Sequence, residues 1–312
     1  MGGPSWTPWR PLRLAEDVPA ATLAEQLDGG QCFRWRQEDD GAWLGVFGDT
    51  LAGLRSGPAG LEWRAPLTAP GAEAALRRYL DAEGVQARLS ADLPWRSDPA
   101  LRAAREAYPG LRILRQEPHE ALIGFLCSSN KRILQIRAMV AALADELGAP
   151  LADGFHALPS WDVLAEASEP TLRRCALGYR AAYLRGTARM LRTRPHWAEE
   201  FAALDTPQLL AALQGLPGVG PKVAACVALF GFGRLESFPV DTWVVQALAS
   251  AYGLRGWTPA QLERFGQIHF GAGAGLAQQY LFSAARQGRL MKPPSSLDPI
   301  KPGPRRSRAR RS

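Results

Sequence analysis

Lys222 and Asp241 are the residues of this sequence whose types and spacing best fit a chemical reaction. Lys222 directly follows a Leu-Pro-Gly-Val-Gly-Pro segment at residues 216–221, and Asp241 lies nineteen positions after the lysine. Gly218 and Gly220 flank a single valine and predict a tight hairpin, because glycine adopts backbone angles that are closed to other residues. The Ala- and Leu-rich run after the hairpin predicts a helix. The first turn of such a helix presents free backbone N–H groups, which form a binding site for a phosphate.

The predicted positions of Lys222 and Asp241 within their helices suit a reacting amine and a carboxylate. Lys222 falls in the first turn, where the helix dipole disfavours a positive charge. A neutral amine is the form that acts as a nucleophile, so this position fits a catalytic lysine better than a structural one. Asp241 precedes a predicted helix at residues 242–251 and therefore occupies an N-cap position. We expect the helix N–H groups to hold its carboxylate ionised, ready to stabilise a positive charge beside the lysine.

The hairpin, the Gly- and Pro-rich loop at residues 231–239 and the aspartate after it resemble the helix-hairpin-helix glycosylases of the HhH-GPD superfamily. Hairpins of this kind also occur in non-catalytic proteins, where they only grip the DNA backbone. The presence of both Lys222 and Asp241 favours the enzymatic interpretation. A non-enzymatic DNA-binding protein remains the alternative from a different functional class. Such a protein would still bind DNA after both residues were changed to alanine.

Four more segments resemble one branch of that superfamily, the 8-oxoguanine DNA glycosylases, and together the matches cover most of residues 10–290. The segments are Gly-Gln-Cys-Phe-Arg-Trp-Arg at 30–36, Cys-Ser-Ser-Asn at 127–130, Gly-Tyr-Arg-Ala-Ala-Tyr at 178–183 and Gly-Leu-Ala-Gln-Gln-Tyr-Leu-Phe-Ser at 275–283. Their order along the chain is that of the family, which makes the set more specific than the hairpin alone. A glycosylase for another damaged or mispaired purine is the alternative within the enzyme class.

The resemblance implies a bifunctional DNA repair enzyme. Such an enzyme flips 8-oxoguanine out of double-stranded DNA, and Lys222 attacks C1′ so that the N-glycosidic bond breaks. The resulting Schiff base permits β-elimination, which nicks the strand. Asp241 stabilises the oxocarbenium-like sugar. Extrusion of the base costs a few kcal/mol, which contacts to the flipped base and to its former partner must offset.

The resemblance also implies a pocket for the flipped base. It assigns Gln278 to the Watson–Crick edge of the base, Phe282 and Cys226 to its two faces, and the backbone carbonyl of Gly30 to the N7–H that distinguishes 8-oxoguanine from guanine. The spacing agrees with these roles, because Gln278 and Phe282 are four residues apart on one predicted helix. Cys226 is likewise four residues after Lys222, so it lies on the lysine's side of its helix.

Further residues are implied to contact the rest of the DNA. Asn130 and Tyr179 correspond to residues that fill the gap left by the base and contact its orphaned partner. Arg180 corresponds to one of two arginines that contact the opposite cytosine. Gly218 and Gly220 belong to the hairpin that grips the DNA backbone.

Four positions depart from the pattern of the animal enzymes or of the family. Gln135 replaces the second arginine that contacts cytosine, and Lys131 and Arg132 replace two asparagines before it. A neutral glutamine both donates and accepts hydrogen bonds, so we expect it to fit several opposite bases. Trp243 stands where the family usually has a histidine, which we expect to cost a phosphate contact rather than the chemistry.

Cysteine and histidine spacing gives no indication of a metal or cofactor. The four cysteines form no CxxC pair, which also excludes the clustered-cysteine iron–sulfur loop of endonuclease III-like relatives. They are Cys32, Cys127, Cys175 and Cys226. The four histidines are too far apart for a ligand set, and we interpret them as surface or capping residues. We expect no metal, no cofactor and no disulfide.

The net charge of +7 is weak evidence for DNA binding, because six of the positive charges lie in the last twelve residues, which carry no acid. We therefore expect a disordered basic tail at 291–312 that binds phosphates without reading bases. No apolar run is long enough to span a bilayer. We expect a cytoplasmic monomer, close to the nucleoid if bacterial, that has double-stranded DNA as its partner and does not bind membranes.

The predicted fold class is α+β. Alternating residues predict strands at 31–36, 43–47, 51–55 and 61–64, and a helix at 72–82 follows. We expect a β-rich N-terminal domain at 1–99 and a helical region at 100–290, in which Thr206 and Thr258 cap helices. The resemblance, not the periodicity, implies that the helical region forms two subdomains with the active site in the cleft between them.

Overall fold

The computed structural model describes residues 6–58 and 60–290 and confirms the α+β class. Its strands form one antiparallel sheet in the order β1-β5-β4-β3-β2. Their bounds are β1 (Arg10–Pro11), β2 (Trp35–Gln37), β3 (Trp43–Phe47), β4 (Thr50–Gly57) and β5 (Gly60–Arg64). Two short 3₁₀ segments, Ala152–Gly154 and Gly271–Gly273, interrupt the helical region. The predicted tail at 291–312 lies outside the described residues.

The helices of the described residues begin among the strands and then make up the rest of the chain. They are α1 (Ala20–Asp28), α2 (Ala72–Tyr79), α3 (Val85–Asp92), α4 (Pro99–Ala107), α5 (Pro118–Cys127), α6 (Ile133–Leu147), α7 (Trp161–Glu166), α8 (Glu169–Arg174), α9 (Arg180–Leu191), α10 (Trp197–Ala202), α11 (Thr206–Gln214), α12 (Pro221–Phe230), α13 (Thr242–Ala251), α14 (Pro259–Phe270) and α15 (Ala274–Arg286).

The sheet differs from the prediction at its first long strand. The predicted strand at 31–36 is paired only from Trp35 onward, in β2. The residue responsible is Gln31, whose side chain donates to Arg112 O at 2.9 Å and accepts from Leu114 N–H at 2.9 Å. Gln31 O also accepts from Gln116 Nε2 at 2.7 Å. This segment therefore bonds to the connection before α5 instead of to a neighbouring strand.

Two helices of the first hundred residues were not predicted. The N-cap residues of α1 and α3 are Pro19 and Gly84, and neither forms a side-chain hydrogen bond to its helix. Both helices lack the local signals from which a helix start is recognised. α1 packs on the sheet, and Ser90 of α3 contacts Tyr280 of α15 at 3.3 Å. The domain boundaries at residues 99 and 290 stay a prediction.

The centre of the helical region is the pair α5 and α12, which pack against each other. Every residue of α12 from Val223 to Phe230 is buried, as expected of a helix that is apolar on all sides. Phe125 of α5 stacks on Phe230 of α12, with ring centroids 5.3 Å apart. Aromatic stacking and full burial make this pair a rigid support for the residues at its ends.

The helix caps confirm the predictions for two helices and correct a third. Asp241 is the N-cap of α13 and Thr258 is the N-cap of α14, where it forms a capping box with Gln261. Thr206, however, is the first residue of α11, and Asp205 is its N-cap. The Asp205 carboxylate accepts from Gln208 N–H at 2.8 Å. Asp205 and Thr206 are both residue types that favour an N-cap position. Pro207 does not decide between them, because proline fits the second helical position as well as the first.

No helix within the described residues combines the length and apolar character that crossing a bilayer requires. In residues 6–58 and 60–290, no three His, Cys, Asp or Glu side chains form a group that would hold a metal ion. The histidines are not all simple surface residues, because His269 Nε2 lies 3.0 Å from Asp98 Oδ2. The same carboxyl oxygen accepts from Tyr252 OH at 2.7 Å, so this cluster joins α4, α13 and α14.

Candidate active site

A cleft of about 1140 Å³ contains most of the residues singled out from the sequence. Its walls come from the turn between α5 and α6, the hairpin before α12, the start of α13, one face of α15 and the loop after α1. The predicted residues that line it are Gly30, Asn130, Gly218, Gly220, Lys222, Cys226, Asp241, Gln278 and Phe282. Gln135, Tyr179 and Arg180 are not among its lining residues. Segments that are far apart in the sequence thus form one cavity around Lys222 and Asp241.

The hairpin requires glycine at one of its two glycine positions. Gly218 has φ +80°, and a Cβ there would lie 2.6 Å from Tyr183 Cβ. Gly220 has φ −87° and ψ 179°, which any residue adopts, and a Cβ there would meet no atom within 4 Å. The expectation that both glycines supply forbidden backbone angles is therefore wrong for Gly220. Gly220 is instead the N-cap of α12.

Lys222 occupies the second position of α12 and reaches across to the end of α5. Its Nζ donates to Ser128 Oγ at 3.2 Å, and the Ser128 hydroxyl donates to Phe125 O at 2.7 Å. Nζ also lies 5.4 Å from the centroid of the Phe125 ring. Because the serine proton is directed to a carbonyl, its lone pair faces the lysine and holds the amine in one orientation.

Ser128 was missed as a site residue although it belongs to the Cys-Ser-Ser-Asn match. We expect Ser128→Ala to slow single-turnover base excision by about 3- to 10-fold, since one net hydrogen bond is worth roughly 1 kcal/mol. Ser128→Thr, which keeps the hydroxyl, should restore part of the rate. Ser97→Ala is the matched control, because Ser97 Oγ also donates to the carbonyl three residues before it, at 3.1 Å on an exposed turn. Equal rates for Ser128→Ala and the wild type would show that the lysine needs no such support.

Cys226 lies one turn after Lys222 and forms part of the cleft wall. Burial raises the pKa of the Cys226 thiol to about 11, although the nearby Lys222 acts in the opposite direction. The thiol is therefore neutral at physiological pH and does not act as a nucleophile. A neutral, polarisable side chain suits contact with the face of a base.

Asp241 is fixed by its N-cap geometry at the edge of the cleft. Its Oδ1 accepts from Val244 N–H at 2.9 Å. Burial raises the pKa of the Asp241 carboxyl above its ordinary value, and the opposing effects of the Val244 N–H and of Lys222 are smaller. The expected hydrogen bond is present, but its effect on the pKa does not outweigh burial.

The proposed base pocket lies between α15 and the loop after α1. Gln278 is 4% exposed, and within the described residues its Oε1 has no hydrogen-bond partner. Gly30 has φ +101°, and a Cβ there would lie 2.9 Å from Ile133 Cδ1 and 3.9 Å from Phe282 Cζ. Glycine is thus required at position 30 by its backbone angles and by its neighbours. The pocket has an unpaired polar group, an aromatic wall and a close backbone approach.

The residues expected to contact the DNA outside the base pocket differ in exposure and in their position relative to the cleft. Asn130 adopts a left-handed backbone angle, φ +54°, and lines the cleft. Tyr179 is 55% exposed at the start of α9. Gln135 Oε1 accepts from Arg132 N–H at 3.1 Å and so caps α6. Trp243, beside Asp241, is 41% exposed and lines the cleft.

Arg180 is buried, with only 4% of its surface exposed. Its guanidinium donates to Leu177 O at 3.2 Å, to Tyr179 OH at 3.2 Å and to Ser129 O. It also stacks over the Tyr179 ring at 4.4 Å. In this structure Arg180 therefore joins the exposed tyrosine to the turn that contains Ser128, and a contact with an opposite base requires it to leave these partners.

The protein-family model described as 8-oxoguanine DNA glycosylase, N-terminal domain, matches residues 13–122. Over 296 residues the chain is 36% identical to the N-glycosylase/DNA lyase OGG1 of Arabidopsis thaliana, which corresponds to 88% of this chain and 80% of the relative. The chain belongs to the 8-oxoguanine DNA glycosylase family. A probable N-glycosylase/DNA lyase of Methanothermobacter thermautotrophicus is 30% identical, with 62% of this chain and 69% of the relative covered.

Solved structures of the family have the same fold. The Clostridium acetobutylicum 8-oxoguanine glycosylase/lyase, in complex with double-stranded DNA that contains cytosine opposite 8-oxoG, is 30% identical with a TM-score of 0.79, over 86% of this chain and 92% of that one. MBOgg1 in complex with a low-affinity DNA ligand is 31% identical with a TM-score of 0.79, over 85% of this chain and 91% of that one. The 3-methyladenine DNA glycosylase of Archaeoglobus fulgidus, at 16% identity, shares the fold alone.

Proposed function

We propose that this chain is a bifunctional DNA repair glycosylase that removes 8-oxoguanine from double-stranded DNA and then nicks the strand. One observation carries the proposal: Lys222 and Asp241 line the same cleft as Gln278 and Phe282. A nucleophile and a carboxylate thus adjoin an aromatic ring and, within the described residues, an unpaired amide oxygen, which are groups that suit the face and the edge of a base. The family relatives, which are N-glycosylases and DNA lyases, support the same activity.

Recognition begins when the base leaves the helix and enters the pocket. Cys226 and Phe282 contact its two faces, and the unpaired Oε1 of Gln278 accepts a hydrogen bond from its Watson–Crick edge. The backbone of Gly30 accepts the N7–H of 8-oxoguanine, which guanine lacks. Guanine would cover that acceptor without pairing with it, and a polar group that is buried unpaired costs about 1–3 kcal/mol. The exposed Tyr179 fills the space in the duplex and replaces the lost stacking.

The chemical steps then involve two side chains. The neutral Lys222 amine forms a bond to C1′, the N-glycosidic bond breaks, and its electron pair leaves with the base. The ionised Asp241 stabilises the positive charge that develops on the sugar. The lysine adduct opens the sugar ring to a Schiff base. Loss of a proton from C2′ then expels the 3′-phosphate and nicks the strand.

We propose that a single copy is active, because one chain places Lys222, Asp241, Gln278 and Phe282 around the same cleft. We also propose that the reaction needs neither a metal nor a cofactor, because the lysine supplies the nucleophile and the aspartate supplies the stabilising charge. The free N–H groups at the start of α12 lie beside the cleft and bind a DNA phosphate. We propose that the protein acts where the cell's DNA is, without a membrane partner. The tail at 291–312 contributes only nonspecific, salt-dependent affinity.

A panel of duplexes, each with a single lesion, tests the proposed substrate. We expect excision of 8-oxoguanine, and no excision of alkylated purines or of adenine mispaired with guanine. Borohydride during the reaction should trap a covalent protein–DNA adduct, because it reduces the Schiff base. Excision without a trapped adduct would contradict the lyase assignment. DNA binding without excision of any lesion would favour the non-enzymatic alternative.

Gln135 leads to a prediction about the base opposite the lesion. An arginine that contacts cytosine provides roughly 1–3 kcal/mol of discrimination, and a neutral glutamine that caps α6 does not. We expect the single-turnover rates opposite C, T, G and A to differ by less than about 100-fold. Gln135→Arg should sharpen the preference for cytosine. A wild-type preference for cytosine of about 100-fold or more would refute the argument.

A further inference from the structure

A charged pair lies at the far end of the proposed base pocket. Arg286 follows Phe282 by four residues and Gln278 by eight, so all three lie on one face of α15. Arg286 lines the cleft with them. Its guanidinium Nη2 donates to Glu25 Oε2 of α1 at 2.6 Å. The side chains of Arg286 and Glu25 are 23% and 4% exposed.

Glu25 connects this pair to Gly30. Glu25 lies in the last turn of α1, and a Cβ on Gly29 would lie 2.6 Å from Glu25 Oε1. The carboxylate therefore packs directly against the backbone that leads into Gly30. On the other side of the loop, Asp28 is ion-paired with Arg137 of α6. The last turn of α1, which leads into the loop that carries Gly30, is thus held by charged contacts from α15 and from α6.

Stability does not explain the Glu25–Arg286 pair. Burying two charges costs free energy, and a buried ion pair is often no more stabilising than apolar side chains of similar volume. Within the described residues, Glu25 Oε1 and Arg286 Nε have no hydrogen-bond partner, so the desolvation is only partly compensated. What the ion pair does supply is a fixed direction and distance between α15 and the end of α1.

We propose that the Glu25–Arg286 ion pair is a positioning device for lesion recognition. The pair holds the Gly30 backbone in a fixed position relative to Phe282, so that an oxidised purine stacked on Phe282 finds the acceptor for its N7–H in place. α15 contributes the pocket's aromatic wall, the loop after α1 contributes its backbone acceptor, and the pair is a direct charged link between α15 and α1. The inference rests on the proposed role of Gly30 in reading 8-oxoguanine.

Two activities of the protein separate a positioning role from a structural one. Arg286→Leu and Glu25→Leu are each expected to lower single-turnover excision of 8-oxoguanine opposite cytosine by about tenfold or more. Cleavage at a preformed abasic site should change by less than about twofold, because that substrate has no base to be read. Glu25→Gln, which keeps the shape and one acceptor, gives an intermediate excision rate. Arg55→Leu is the matched control, since it breaks a 2.7 Å ion pair with Glu62 on the sheet, and we expect both activities to stay near wild type.

The outcomes distinguish this inference from the proposed function. If the wild type does not excise 8-oxoguanine, the proposed function fails. If the wild type does so and Arg286→Leu excises it equally fast, the positioning role fails. An equal loss of excision and of abasic-site cleavage would also overturn it, because the pair would then support the whole fold. Should both leucine variants fail to fold, the Glu25→Gln comparison decides the question in the same way.

Discussion

Lys222→Gln is expected to abolish the covalent adduct that borohydride traps between the wild-type protein and an 8-oxoguanine duplex. Glutamine has no amine, so neither attack on C1′ nor a Schiff base is possible. Single-turnover excision should fall on the order of 10³-fold or more, as is typical when a nucleophile is removed. DNA affinity should change little, because glutamine retains most of the side chain and can still donate to Ser128. Gel analysis of trapped adducts and quenched-flow excision rates measure the two effects.

Lys131 provides a sharp control for that result. It is the other lysine within residues 6–58 and 60–290, and it also lines the cleft. A lysine elsewhere in a cleft sometimes substitutes for a missing nucleophile, so the single variants must be compared. We expect Lys131→Gln to be trapped like the wild type. An adduct that persists in Lys222→Gln and is lost in Lys131→Gln would identify Lys131 as the nucleophile.

Asp241→Asn is the second substitution with a large expected effect. Asparagine caps a helix as well as aspartate does, so α13 should persist while the negative charge is lost. We expect the excision rate at pH 7.5 to fall by about 10²- to 10³-fold, since a charge aimed at a developing cation is removed. Burial raises the pKa of Asp241, so as the pH falls the carboxylate is protonated earlier than an ordinary aspartate. The Asp241 carboxylate should therefore cause a decline of the wild-type rate on the acid side at a higher pH than an ordinary aspartate would, and this contribution should be absent in the variant.

Asp205→Asn separates the charge effect from the capping effect. Asp205 caps α11 in the same way, with its carboxylate on the N–H three residues later. It is exposed and lies outside the cleft. Its variant should match the wild type in rate and in pH profile, and the melting temperatures of both variants should stay within a few degrees of the wild type. A normal rate for Asp241→Asn would show that its carboxylate serves only as a cap.

The sequence predicted those features of the site that depend on local signals. The hairpin, the cap at Asp241 and the helix of residues 242–251 each follow from neighbouring residue types, and the structure has all three. The prediction that Gly220 needs backbone angles closed to other residues was wrong, because a glycine pattern does not reveal which glycine has a positive φ. The α+β class could also be predicted, because the alternating pattern of strands and the pattern of helices occupy different parts of the chain.

The remaining features depend on partners that are distant in the sequence. The strand expected at 31–36 starts late because Gln31 bonds to residues 112–116, and no local pattern reports that contact. Arg180 was expected to face DNA but is buried beneath Tyr179 and Ser129. The contacts of Ser128 with Lys222 and of Glu25 with Arg286 join elements that meet only in the folded protein.

Gln31 has a wider consequence. By bonding the segment next to Gly30 to the connection between α4 and α5, it joins the N-terminal part of the chain to the helical part that carries Lys222. In the proposed mechanism, Gly30 reads the lesion and Lys222 breaks the bond, so two residues that are far apart in the sequence depend on these hydrogen bonds for their relative placement. We expect that substitutions in the segment next to Gly30 change which damaged base is accepted, while the reacting residues stay unchanged.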